Sequence, residues 1–327
     1  MLIKLVTTLV TVVIGIGAAL VVYWILNKAA ELLPGKAEAV VKPYLYILPA
    51  YAAIALYLLY PAVQTIVYSF MDETSTSFVG LDNFHALLTS HNFLSTLFNT
   101  LLWMIIVPTF TVIIGLAVAT LADRLSPRGE KLSKTIIFLP MAISMVGAST
   151  VWRFVYNYRP AGQTQVGLQN ALIGLVGHGP VAWLQQQAFH LNSLLLMVML
   201  LWSGTGFAMV LLSAAVKGVP GDTLEAARID GAVERQIFFR VIVPQIRGTI
   251  ITVFVTTLIG VMKVFDVVYV MTNGSANTNV IGVEFFIQLY TNFNNGAAAA
   301  VVVLLMIATI PILIFQVHNF RVEEANA

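Results

Sequence analysis

The stretch LEAARIDGAVERQIFFRVIVP, residues 224–244, is out of keeping with the chain around it. It places Glu225, Arg228 and Asp230 within six residues, and Arg235 and Arg240 follow. Yet the 327-residue chain is 59% hydrophobic and only 10% charged. A soluble domain carries about 25% charged residues. The mean hydropathy of +0.88 belongs instead to a protein that meets lipid. The fold therefore turns on which side of a membrane this polar island faces.

Runs of about 20 apolar residues recur outward from it in both directions, each long enough to cross roughly 30 Å of hydrocarbon as a helix. Seven spans are predicted, near 4–26, 44–70, 97–122, 135–156, 190–215, 248–271 and 296–317. The polar–apolar alternation of a membrane barrel strand is absent, so the fold class is an all-α polytopic membrane protein. The first apolar run exceeds the 7–15 residues of a signal-peptide core and is read as a retained helix. The protein is expected to be a multi-pass membrane component in contact with lipid, with no nucleic-acid partner.

Lysine and arginine sort the loops. Thirteen of the seventeen fall in segments 27–43, 123–134 and 216–247 and in the C-terminal tail, while loops 71–96, 157–189 and 272–295 hold only Arg159. Basic segments remain in the cytoplasm, so the quoted stretch and the C-terminus are cytoplasmic and the N-terminus lies outside.

Within 217–247 two short helices are predicted. Pro220 and Gly221 make a turn, Asp222 caps the first helix with Glu225 in capping-box spacing, and Gly231 supplies the left-handed residue that ends it. The second runs from Val233 to Val241, until Pro244 stops it. Glu225 and Arg228 share one side at i, i+3.

Polar residues inside spans mark a route for solute. Lys263 and Asp266 cost roughly 2.5–3.5 kcal/mol each at the bilayer centre, so they should face protein or water. Their spacing allows either a polar lining, with Tyr269 nearby, or a structural ion pair clamping the helix. Trp202, Ser203 and Thr205 put an aromatic face beside hydroxyls, which suits a sugar. Gly204 and Gly206 either soften that helix or permit close packing. Asn99 and Trp103 extend the surface, while Trp152 and Tyr156 near the outer boundary are read first as interfacial anchors.

Several chemistries are missing from the sequence. There is no cysteine, and no phosphate-loop, zinc-protease or serine-hydrolase motif. The five histidines are too scattered to suggest a metal site. No catalytic role, cofactor or metal is assigned to this chain, and energy must come from elsewhere.

The run Glu225-Ala226-Ala227, then Gly231, then Ile242-Val243-Pro244, resembles the EAA loop of ABC importer permeases, with Val243 where leucine is usual. FVGLDNF (78–84), FNTLLW (98–103), VWRFVYN (151–157), KVFDVVYVMTNG (263–274) and GAAAAVVVLL (296–305) are similar to permeases of the carbohydrate type, which include the larger maltose-importer subunit. The resemblance implies a type I importer permease core over 44–327, preceded by an extra helix and linker at 1–43. It implies that Glu225, Ala226, Ala227, Arg228, Asp230, Gly231 and Pro244 form a coupling helix and its surroundings, docking on an ATPase that binds ATP and Mg. It further implies a second related permease, two ATPase subunits, an external solute-binding protein and a sugar-like solute such as an α-glucoside, maltose or a glucosylated polyol. An ion-coupled secondary transporter is the alternative class, with protons passing through Asp266.

Overall fold

The computed structural model describes the backbone of residues 2–326 and the side chains of residues 4 and 6–318. Two compact units are present, residues 1–67 and 68–327.

In the first unit, α1 (Leu2–Glu31) and α2 (Gly35–Tyr68) form a hairpin. The Tyr46 hydroxyl donates to Asn27 Oδ1 at 3.0 Å, and the Tyr23 and Tyr46 rings stack at 5.8 Å. The apolar windows of both helices are unburied by protein. An all-round apolar helix surface of this kind is suited to lipid. Pro61 removes one hydrogen bond from α2, and a π-turn at Ala55–Leu59 just ahead of it lets the helix continue.

The second unit begins with a turn carrying an isolated bridge between Met71 and Phe78, followed by α3 (Asp82–Thr89) and α4 (His91–Ala122). The expected span 135–156 is two helices, α5 (Pro127–Phe138) and α6 (Met145–Val155), bent by 103°. The cause is local: Pro140 sits in a 3₁₀ turn, Ile143 is extended, and Ser144 Oγ caps a new helix by accepting from Gly147 N at 3.2 Å. After α7 (Leu168–Leu175) comes α8 (Leu191–Lys217), then α9 (Gly221–Ile229) and α10 (Glu234–Gln245) in the charged stretch. The expected span 248–271 also breaks, into α11 (Arg247–Met262) and α12 (Asp266–Met271). The bundle closes with α13 (Ile281–Thr291) and α14 (Asn295–Asn326). Among the described residues, five helices are long and apolar enough to span a membrane, or up to seven if each bent pair counts as one.

The core lies along the pair α4 and α8. Trp103, Leu196, Met197 and Met199 fill one buried cluster with Val261 and Val268, and Ala119, Ala208, Met209 and Leu212 fill a second with Val253. A Cβ on Gly115 would come within 2.6 Å of Ala208 Cβ, so glycine sets how closely the helices approach. Gly206 is under the same constraint, its missing Cβ falling 2.7 Å from the Ile137 carbonyl. Gly206 therefore serves close packing, as small residues do between membrane helices. Lipid is as apolar as leucine, so such contacts and interhelical hydrogen bonds of about 0.6 kcal/mol each do much of the holding.

Candidate coupling segment and solute cavity

The charged stretch folds as a helix, a left-handed glycine and a second helix. Gly231 has φ +80°, the conformation anticipated for a residue ending α9. Two details differ from expectation. Helix α9 starts one residue before Asp222, with Pro220 as its flanking residue, so Asp222 lies in the first turn and caps nothing. Its carboxylate still sits at the positive end of the helix. Pro244 does not stop α10: a π-turn at Phe238–Ile242 absorbs the missing hydrogen bond, and the chain bends by 70° only beyond Gln245.

Arg228 pairs with Glu234 across the glycine break at 3.0 Å rather than with Glu225. That bridge ties α9 to α10 and leaves the Glu225 carboxylate exposed. Among the described residues Glu225, Asp230, Arg235 and Arg240 form no ion pair. Beside them Ile229 is 85% exposed, and Val233 and Phe239 also face outward. Ala226 is exposed and Ala227 half-buried, so this surface is low as well as mixed in character.

An ionic cluster holds the base of the segment. Lys217, at the end of α8, lies 3.0 Å from Asp123 and 2.5 Å from Glu130, while Lys134 hydrogen-bonds both Glu130 and Ser213. These contacts join the ends of α4, α5 and α8. Hydrogen bonds from Lys134 and Lys217 hold the Glu130 carboxyl below the usual carboxylate range.

A cavity of about 460 Å³ opens among α4, α6, α8, α11 and α12, lined by Met141, Met145, Ser203, Phe207, Lys263 and Asp266 among others. Lys263 and Asp266 are both exposed and, among the described residues, form no ion pair, because the helix breaks between them: Phe265 has φ −139°. The i, i+3 clamp is therefore not made, and both residues are free to line the cavity. The break follows locally from the short turn that closes α11, in which Lys263 N donates to the Gly260 carbonyl.

Other expected path residues fall elsewhere. Thr205 is buried and its hydroxyl donates to Leu201 O at 2.6 Å, as does many a helical threonine. Trp202 is exposed and meets Trp152 edge to face at 5.8 Å. Tyr269 stacks on Phe265 at 4.7 Å, and Phe265 in turn on Phe286 at 4.1 Å. Asn99 is fully buried and donates to the carbonyls of Asn277 and Asn279 at 2.6 and 3.2 Å, which makes it a tie to the outer turn. Tyr156 is also buried, its hydroxyl donating to Leu195 O at 2.9 Å, so it is a core residue rather than an interfacial anchor. Met141, Met145, Phe207 and Thr257 went unread in the sequence as cavity residues; no periodicity distinguishes them from lipid-facing neighbours.

An apolar helical bundle carrying an exposed, charged helix defines a polytopic membrane protein. The chain belongs to the family of binding-protein-dependent transport system inner membrane components, whose model matches residues 112–324. It is 45% identical over 280 residues to the osmoprotective compounds uptake permease protein GgtC of Synechocystis, covering 86% of this chain and 99% of that one. It is 40% identical over 332 residues to the α-glucoside transport system permease protein AglF of Rhizobium meliloti, covering 97% of each. Its fold matches a chain of a bacterial ABC transporter that imports the acidic polysaccharide alginate, with a TM-score of 0.76 at 21% identity, over 88% of this chain and 99% of that one. This is an inner-membrane permease subunit, not an enzyme. The ion-coupled alternative finds no support among these relatives.

Proposed function

We propose that this chain forms half of an alternating-access path for a neutral, sugar-like solute, an α-glucoside or a glucosylated osmolyte, in an ATP-driven importer. The observation that carries the reading is near-full-length similarity to an α-glucoside permease and to a permease for osmoprotective compounds. In this reading α9 docks in a groove of an ATPase subunit, with Glu225 and Asp230 contributing charge and Ile229 apolar contact. The low ridge of Ala226 and Ala227 permits close approach. Two such ATPases bind ATP and Mg. A second, related permease supplies the other half of the path, and an external binding protein delivers solute. Residues 1–43 add a helix and linker to the permease core at 44–327.

Inside the membrane, Ser203, Lys263 and Asp266 supply the polar side of the central cavity, and Met141, Met145 and Phe207 supply the apolar side. A sugar presents hydroxyls at its edge and C–H groups on its faces, and this two-sided lining suits both. Binding must remain weak enough for release, so a few polar groups in an apolar cavity are appropriate.

The test is uptake of a radiolabelled α-glucoside by vesicles containing the assembled complex, with and without ATP inside. Uptake driven by a proton gradient through this chain alone, without ATP, would sink the reading.

A further inference from the structure

A second cavity, of about 820 Å³, lies at the outer end of the bundle, between α3, the start of α4, the 273–280 turn, α13 and the start of α14. We propose that it is a separate site for a neutral polyhydroxylated solute, occupied before the central cavity; this rests on the importer reading. Its size is that of a small-molecule site.

The lining differs from that of the central cavity. Asn92, Asn277, Asn279, Gln288 and Asn292 surround a single carboxylate, Glu284, and no lysine or arginine is among the lining residues. A carboxamide donates and accepts at once, as a hydroxyl does, so a ring of them complements a polyol without demanding a charge. Glu284 is held in place: Oε2 accepts from Asn279 Nδ2 at 2.5 Å and Oε1 from Gln288 Nε2 at 2.8 Å. Gln288 Oε1 accepts in turn from Asn292 Nδ2 at 3.0 Å. A carboxylate offers about four lone-pair positions, so two remain to accept from solute hydroxyls. With a fixed negative charge, no lysine or arginine, and His91 the one basic side chain on the wall, a phosphorylated or carboxylated solute is disfavoured.

The site is also preformed. Asn273, Ala276 and Asn277 adopt positive φ of 50°, 53° and 61°; asparagine takes this conformation readily, whereas Ala276 holds it only when its surroundings impose it. Here Asn99 binds the carbonyls of 277 and 279 from α4, and Asn192 binds the Ala276 carbonyl at 2.7 Å from α8. A wall ordered before the solute arrives loses little further entropy on binding.

The experiment uses the full complex with its cognate subunits in nanodiscs, free of nucleotide and of external binding protein. Saturation-transfer NMR is recorded with methyl α-D-glucopyranoside and, separately, with glycerol 3-phosphate. The glucoside is expected to give a signal that Gln288→Leu and Asn292→Leu weaken about tenfold in affinity, the scale of one hydrogen bond to a charged network. Gln288→Asn should recover part of it, and glycerol 3-phosphate should give none. An unchanged signal in the leucine variants, or loss only with Ser203→Leu in the central cavity, overturns the outer site. Equal binding of glycerol 3-phosphate overturns the solute class. No glucoside signal overturns the proposal, and in a parallel sample with the external binding protein added, cross-linking of that protein to Asn92→Cys would make the cavity a protein socket. A complex that imports glucoside with ATP yet fails these tests loses only the outer site, whereas failure of ATP-driven uptake removes the importer reading itself.

Discussion

Two polar stretches interrupt this apolar chain, residues 217–247 on the cytoplasmic side and 272–295 on the outer side, and they spend their polar groups in opposite ways. The outer stretch turns inward. Asn277, Asn279, Thr278, Glu284 and Gln288 bond to one another or to Ser95, Thr272 and Asn99 of the same chain, and Ile281 N donates to the Thr100 hydroxyl. The cytoplasmic stretch turns outward: Lys217 anchors its base and one bridge, Arg228 to Glu234, braces it, while among the described residues Glu225, Asp230, Arg235 and Arg240 form no ion pair, beside exposed Ile229 and Phe239. Internal hydrogen bonds shape a wall, whereas unspent charges and bare apolar side chains wait for another molecule. Polarity in a membrane protein thus has two structural meanings, distinguished by who satisfies it.

The sharpest way to break this contrast is at the cytoplasmic stretch. Glu225→Ala, or Gly231→Val, which forces a β-branched residue to φ +80°, should cut ATP-driven uptake at least tenfold, a factor worth about 1.4 kcal/mol of coupling. The thermal midpoint of the isolated subunit in detergent should barely move with Glu225→Ala, since exposed substitutions stay within about 0.5 kcal/mol. A large loss of stability would place Glu225 among internal contacts and erase the contrast.

The outer stretch should respond in the reverse sense. Asn99→Leu leaves two part-buried carbonyls without their donor, at a cost of about 1 kcal/mol. A lowered melting temperature and faster hydrogen exchange across 273–280 are expected, with the ATPase still bound. Unaltered exchange would mean that the turn holds itself.

A smaller effect is expected at the cytoplasmic ion cluster. Lys217→Met removes the partner shared by Asp123 and Glu130, and the loss should be small because water reaches the half-exposed Lys217 and Lys134 still holds Glu130. Chemical denaturation at low and high salt checks it: the difference between wild type and variant should shrink as salt rises.

The smallest is a pH effect. Asp72 accepts from Thr76 N at 2.8 Å and from the Thr74 and Thr76 hydroxyls, and the bond from Thr76 N leads in holding its carboxyl below the ordinary carboxylate range. A depressed carboxylate stabilises the fold above its unfolded value and loses that contribution as pH falls through the folded one. Limited proteolysis of 71–78 should therefore accelerate only below the normal carboxylate range, and Asp72→Asn should remove that dependence.

Much of this organisation was legible in the residues. Hydropathy located all seven apolar regions, and Gly231 announced its own backbone conformation. What escaped has physical reasons. Period and composition report that a segment is apolar, not that it is straight, so the bend at Pro140–Ser144 and the break at Lys263–Phe265 were hidden inside continuous apolar runs. Pro244 was read as a stop because the rule assumes an α hydrogen-bond ladder, and a π-turn evades that assumption. Glu225 and Arg228 have the spacing of partners, yet a residue across the turn, Glu234, lies nearer. The outer cavity gathers residues from Asn83 to Ala297 in the sequence, and only the fold brings them together.

Helix α8 gives the last consequence. Its start is set by left-handed residues Phe189 and His190, its middle is seated on α4 and α5 at Ala208 and Gly206, and its end is fastened by Lys217. Only Gly218–Pro220 separates it from α9. A beam supported at both ends and at mid-length has little freedom to flex. A push on α9 would then be handed on through α8 to α4 and α5, on which it is seated, instead of being absorbed by bending.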